Sequence, residues 1–164
     1  MTPASQLPIT VRRAAVADAA VVSGLNADVQ AIHAAALPWL FKAPGPNTFP
    51  PAAAAALLAQ PTHLVYLALR GDEPVGYVYA ELQQHAETAY RYAYRVLYVH
   101  HISVCPAHRH TGVGAALMSA VHRAAAEHGI AMVALDMWSF NDAARAFFRS
   151  IGFEAYNERM WWRQ

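Results

Sequence analysis

The stretch that most constrains this chain is His100 to Leu117, HHISVCPAHRHTGVGAAL. An apolar run from Leu97 to Val104 meets Cys105-Pro106, the segment Arg109-His110-Thr111-Gly112-Val113-Gly114 follows, and helical spacing opens at Ala115. A strand therefore feeds a glycine-bearing loop, and the loop feeds a helix N-terminus. The first N–H groups of a helix have no partner inside it, and the macrodipole places about half a positive charge there. Gly112 and Gly114 lack a Cβ, so the backbone can approach a bulky anion closely. A diphosphate is the natural guest.

The length of 164 residues suits one domain, 1–164, with one core. With 56% hydrophobic and 14% charged residues the composition excludes a disordered chain. The longest alanine-rich run, Ala52 to Ala59, is too short to span a bilayer. Met1 to Pro8 has no basic segment followed by an apolar one, so no leader is expected. A formal charge of +1 gives no field favouring nucleic acid or anionic lipid. Cys105 stands alone, which excludes an internal disulfide. These features point to a soluble cytoplasmic protein with neither nucleic acid nor membrane as partner.

Taken in order, Ile9 to Arg13 alternates as a first strand. Asp18 is placed to cap a helix reaching Ala36, with Val22, Leu25, Val29, Ile32 and Ala36 on its buried face. Trp39 to Pro61 is a proline-rich loop carrying a short helix over Ala52–Ala59. His63 to Arg70 and Pro74 to Gln84 form a hairpin about Gly71-Asp72-Glu73. Tyr90 to Tyr94 either starts the next strand or extends the loop. In a central strand from Arg95 to Val104, alternation puts Val96, Tyr98, His100, Ile102 and Val104 on one face, and Leu97, Val99, His101 and Ser103 on the other. A helix over Gly112–His128 buries Leu117, Val121 and Ala124 and stops at Gly129. Met132 to Trp138 is a strand, Asn141 caps the next helix, and Phe153 to Trp162 reads as a last strand.

Two patterns carry a family resemblance. Arg109-x-x-Gly112-x-Gly114 after a strand end resembles the acetyl-CoA loop of the GNAT superfamily of N-acetyltransferases. Asn141-x-x-Ala144-x-x-Phe147-Phe148-x-x-x-Gly152-Phe153 resembles the second motif of that family, usually Asn-x-x-Ala-x-x-Phe-Tyr-x-x-x-Gly-Phe. The two lie in register, and the order of elements matches over nearly the whole chain.

The resemblance implies an α/β fold of the α+β type. Its sheet would be mixed and mostly antiparallel, with six to seven strands and helices on both faces, splayed between the central strand and Met132–Trp138. Acetyl-CoA as co-substrate would lie in the splay. Backbone groups of Ile102, Ser103 and Val104 would meet its pantetheine arm, and the amides of His110, Thr111, Gly112, Val113, Gly114 and Ala115, with Arg109, its diphosphate. Asn141, Ala144 and Phe148 would border the cofactor, and Arg145 or Arg149 its nucleotide end. Trp39, Phe41 and Phe49 are either acceptor-pocket walls or cover for the core.

The implied reaction is attack of an amine on a thioester. An alkylammonium must first lose a proton, so a base is required. His100 is the first candidate, because imidazole titrates near neutrality. Tyr98-x-His100 resembles the His-x-His relay of arylalkylamine-acetylating members, with Tyr98 in the first position. Glu81, on the neighbouring strand, is the second candidate. A backbone N–H near Ile102 to Val104 would receive the developing oxyanion. Phe148 stands where the family often has a Tyr general acid and cannot donate a proton, which leaves water, Tyr98, Tyr156 or no acid at all.

Phe148 also keeps a second reading open, a non-catalytic acetyl-CoA sensor or scaffold. A third reading is zinc on His100, His101, Cys105, His108 and His110. No Cys-x-x-Cys or His-Glu-x-x-His spacing supports it, and alternation sends His100 and His101 to opposite faces, so no metal is expected. Tyr77, Tyr79, Tyr90, Tyr92 and Tyr94 either line a site for an aromatic or cationic amine or serve as strand residues. The acceptor, a small-molecule or peptide amine, is not specified further. A homodimer, common in such folds, stays open.

Overall fold

The structure is a computed structural model that describes residues 7–164. The reading of Met1 to Pro8 as leader-free falls mostly outside the described residues. Five strands form one sheet in the order β1 (Ile9–Arg13), β2 (His63–Arg70), β3 (Glu73–His85), β4 (Tyr94–Val104) and β5 (Val133–Leu135). The first three pairings are antiparallel, and β4 pairs with β5 in parallel. Four helices complete the fold: α1 (Ala19–Ala36), α2 (Pro51–Leu58), α3 (Val113–Glu127) and α4 (Asp142–Ser150).

Apolar residues on both sides of the sheet explain the two helical layers. Val75, Val78, Ala80, Leu97 and Val99 pack with Leu117, Met118 and Val121 of α3 and Phe148 of α4. Val65, Leu67, Tyr77 and Tyr79 pack on the opposite face against Ala19, Val22 and Leu25 of α1 and Ala54 of α2. The expected stripe of α3 is buried throughout, since Leu117, Val121 and Ala124 are each 2% exposed or less.

The sheet has five strands among the described residues, not six to seven. The segment 153–162, read as a last strand, forms none. A strand needs an edge to pair with, and β5 offers only three residues.

Asp18 differs from its expected role as well. Its side chain makes no cap bond to α1. Instead its carboxylate accepts two Arg12 guanidinium bonds at 2.8 Å and the Ala15 N–H at 2.8 Å, closing the 3-10 turn Val16–Asp18. The stripe of α1 is buried at Val22 and Leu25 and half-buried at Val29, but Ile32 and Ala36 are exposed. In the last turns of α1 it is His33 that faces inward.

The largest departure lies in β4. Pairing runs Glu81↔Tyr98 and Ala80↔Val99, then Tyr79↔His101, so His100 is an extra residue in the ladder. This β-bulge shifts the alternation by one. Leu97, Val99, Ile102 and Val104 all pack on the α3 side, so Ile102 and Val104 do not share the face of Tyr98 and His100. His100 and His101 both turn toward the Tyr79 ring, with centroids 4.7 and 5.7 Å away. The opposite-faces argument used against a metal therefore does not hold. Among the described residues, no three His, Cys, Asp or Glu side chains gather as a metal-binding group.

Candidate active site

The sheet opens where β5 stops. Pairing between β4 and β5 ends at Val99↔Leu135, while β4 runs on to Val104. In an antiparallel ladder a residue's N–H and C=O point to the same side, and the side alternates along the strand. The Cys105 N–H donates to the Val75 carbonyl at 2.9 Å, on the β3 side. Ser103 therefore also turns its backbone toward β3, and Ile102 and Val104 present theirs to the opening. Of the three backbone positions expected to meet an extended guest, two face it.

The loop that follows is held from several directions. Thr111 Oγ1 donates to the His108 carbonyl at 2.7 Å, and Arg109 Nε donates to the Val104 carbonyl at 3.2 Å. The buried Arg70 guanidinium donates to the Leu7 carbonyl at 2.8 Å and the Thr111 carbonyl at 3.3 Å. Arg70 places a positive charge beneath the loop, and its sequence gives no sign of this.

Gly112 sits at the N-cap of α3 with φ of 89°, a left-handed conformation that a side chain would oppose. The Ala116 N–H makes the bond to the Gly112 carbonyl at 3.0 Å. The amides of Val113, Gly114 and Ala115 thus precede it and have no partner within the helix. Gly114 has a packing role: a Cβ there would lie 3.1 Å from the Phe147 ring, so its absence lets α4 close against the first turn of α3.

Asn141 caps α4 as expected, its Oδ1 accepting the Ala144 N–H at 3.0 Å; such a cap contributes about 1 kcal/mol. Arg145 donates to the Ser139 carbonyl at 2.8 Å. Phe148 is 7% exposed and packs between Phe147 and Phe153.

The three expected catalytic residues come together. His100 Nε2 lies 2.7 Å from Glu81 Oε2, and Glu81 also accepts from Gln83 at 2.9 Å. The Gln83 hydrogen bond, followed by the bond from His100, holds the Glu81 carboxyl below its usual range. The Tyr98 ring meets His100 edge-on with centroids 4.8 Å apart. Burial, and then the hydrogen bond to the Asp136 carboxylate, push the Tyr98 hydroxyl up to about 12. His63 is a neighbour that sequence reasoning missed: its Nε2 is 3.2 Å from the Tyr79 hydroxyl and 4.0 Å from Glu81.

His101 is different. Asn26 Nδ2 donates to the Tyr77 hydroxyl at 2.8 Å, and that hydroxyl lies 3.2 Å from His101 Nδ1. Tyr77 thus links Asn26 to His101, and His101 Nδ1 is engaged by its hydroxyl. Burial first, then the nearby His100 and His33, bring the His101 pKa down to about 4.

Beyond His101 lies a group of rings. His33 stacks on Phe41 at 5.0 Å and meets Phe140 at 6.0 Å, and Phe41 meets Trp138 edge-on at 5.1 Å. Trp39 contacts Trp161 at 5.6 Å, and the Arg163 guanidinium lies 3.8 Å above the Trp39 ring. Phe49 meets His101 at 6.2 Å. Tyr77 and Tyr79 are buried strand residues, whereas Tyr90 and Tyr92 project from an exposed turn.

A sheet that parts beside a glycine-bearing helix N-terminus is the arrangement that the two sequence motifs imply. Residues 30–153 match the model of the Acetyltransferase (GNAT) family. The chain belongs to the GNAT family of acetyltransferases. No curated protein sequence matches it. Among solved structures, it resembles a single-site mutant of the BH1408 protein from Bacillus halodurans, with TM-score 0.90 and 22% identity over 94% of this chain and 99% of that one. It also resembles the aminoglycoside N-acetyltransferase AAC(6')-Iy in complex with CoA, with TM-score 0.73 and 19% identity over 96% and 95% of the two chains. A third is the aminoglycoside acetyltransferase meta-AAC0020 from an uncultured soil metagenomic sample in complex with sisomicin, with TM-score 0.63 and 21% identity over 95% of each chain. At these identities the likeness is one of fold.

Proposed function

We propose that this protein uses acetyl-CoA to acetylate a primary amine by direct attack within a ternary complex. The observation that carries the reading is the open β4 edge running into the unpaired amides of α3. The backbone of Ile102 and the Val104 N–H suit an extended amide-bearing arm, the Val104 carbonyl already accepting from Arg109. Val113, Gly114 and Ala115 suit a diphosphate, with Arg70 and Arg109 adding positive charge. Asn141 keeps its Nδ2 clear of the cap it makes and is the side-chain donor for the arm. Acetyl-CoA supplies the acyl thioester when bound.

His100 is the base. Its Nε2–H donates to Glu81, which leaves the Nδ1 lone pair to take the proton from the acceptor ammonium. Glu81 orients the ring and stabilises the imidazolium. His101 is a poor base, because burial holds it neutral and Tyr77 occupies its Nδ1. The Ile102 N–H is the oxyanion donor. Tyr98 is the hydroxyl offered in place of the one Phe148 lacks; its proton, kept to about 12, is hydrogen-bonded to Asp136 before the reaction.

Thiol release from acetyl-CoA with a panel of primary amines tests this. His100→Gln should lower kcat by a factor on the order of 100 or more while leaving coenzyme A affinity unchanged. A variant that keeps the wild-type rate would move the base elsewhere. Tight coenzyme A binding with no release for any amine would favour a sensor.

A further inference from the structure

The bulge in β4 leaves His100 without a ladder partner, so side chains set the direction of its ring. Glu81 holds Nε2 at 2.7 Å, but one hydrogen bond still lets the ring turn about that bond's axis. The Tyr79 ring removes this freedom. It lies against the His100 face with centroids 4.7 Å apart and planes 14° from parallel. Tyr79 is itself buried among Val65, Leu67 and Tyr77.

A second histidine holds the far end of the Tyr79 ring. His63 of β2 stands directly across from Glu81 of β3. Its Nδ1 lies 3.0 Å from the Leu57 carbonyl, which can only accept, so Nδ1 carries the proton. In the neutral ring Nε2 is then an acceptor, and the Tyr79 O–H, 3.2 Å away, donates to it. Glu81 Oε1, at 4.0 Å from the same nitrogen, is too distant for a hydrogen bond. Burial, and then the Glu81 charge, push the Tyr79 hydroxyl up to about 12, so its proton stays in place. Leu57 belongs to α2, and the contacts thus run from that helix through His63 and Tyr79 to the face of His100.

We infer that Tyr79, anchored by His63, is a positioning residue that fixes the plane of the His100 ring and with it the direction of the Nδ1 lone pair. This rests on the reading of His100 as the base. A base gains rate from being aimed, and an imidazole free to turn loses part of that gain.

The test uses the full chain, acetyl-CoA and whichever of n-hexylamine, 2-phenylethylamine and sisomicin releases thiol fastest. Tyr79→Leu removes the ring face and should lower kcat about tenfold while KM for acetyl-CoA holds. Tyr79→Phe keeps the face but loses the anchor, and should cost roughly threefold, the worth of one hydrogen bond. His63→Leu should cost about as much as Tyr79→Phe. His63→Gln, whose amide oxygen can accept from the Tyr79 hydroxyl, should recover most of that loss. The deciding comparison is made in the His100→Gln background, where neither Tyr79 substitution should lower the rate further. An equal loss in both backgrounds would show that Tyr79 only supports the fold, which overturns the inference and leaves His100 as base. Should Tyr79→Leu fail to fold, Tyr79→Phe and His63→Leu carry the same comparison. Nitrogen NMR of the imidazoles gives a readout independent of activity: neutral His63 should carry its proton on Nδ1, and a proton on Nε2 would remove the anchor. No thiol release with any of the three amines, or His100→Gln at the wild-type rate, would overturn the reading beneath the inference and the inference with it.

Discussion

His101 shows how much one residue's surroundings decide. Tyr77, itself held by Asn26, engages its Nδ1, and burial among Tyr77, Tyr79 and Phe49 makes its charged form costly. Its pKa falls to about 4 in the fold, against an ordinary value near 6.5. Between those values the unfolded chain binds a proton that the folded one does not. Stability from this group is therefore complete above about pH 6.5 and is lost as pH falls toward 4, at up to about 1.4 kcal/mol per pH unit. Urea unfolding across that range should show a slope smaller by close to one proton in His101→Gln. Equal slopes for the two proteins would show that His101 titrates alike folded and unfolded. Gly112 is the other decisive single residue. Gly112→Ala puts a Cβ on a backbone with φ of 89° and should cost about 1–2 kcal/mol of stability, read as a lowered urea midpoint with an unchanged m-value.

Among the elements, α3 and α4 are the most legible in sequence, because their signals are local. Apolar spacing, the Asn141 cap and a glycine after each helix all sit within the element they define. The contact between these two helices is not legible. Gly114 reads as a place for an anion, yet its bare Cα is also where Phe147 lands. Gly114→Val should therefore destabilise by about 1–3 kcal/mol through overpacking. A double-mutant cycle with Phe147→Ala should recover part of that loss, and strict additivity would deny the contact. β4 shows the opposite limit. Its bulge inserts His100 without a glycine or proline to mark it, so period-2 reasoning places every residue after the bulge on the wrong face. His100 and Glu81, which that reasoning offers only as alternative bases on neighbouring strands, meet at 2.7 Å beside the bulge. The segment 153–162 misleads for another reason: its aromatic residues suit a strand, but residue type does not say whether an edge is free to receive one.

At the scale of the whole molecule, the chain joins two cores through a sheet that is closed at β1 to β4 and opens between β4 and β5. Element order and the two motifs are enough to foresee that opening. The residues that support its loop come from distant parts of the chain: Arg70 of β2 donates to the Thr111 carbonyl, and Phe147 of α4 lands beside Gly114. Their meeting depends on tertiary packing, which no local pattern encodes. No helix among the described residues is long and apolar enough to cross a membrane. The central claim is that the open edge of β4 and the first turn of α3 together hold coenzyme A. Titration calorimetry of the full chain with coenzyme A tests it most directly. One site per chain is expected, with binding weakened in Gly112→Ala. Absence of any heat of association in a protein shown to be folded would contradict it.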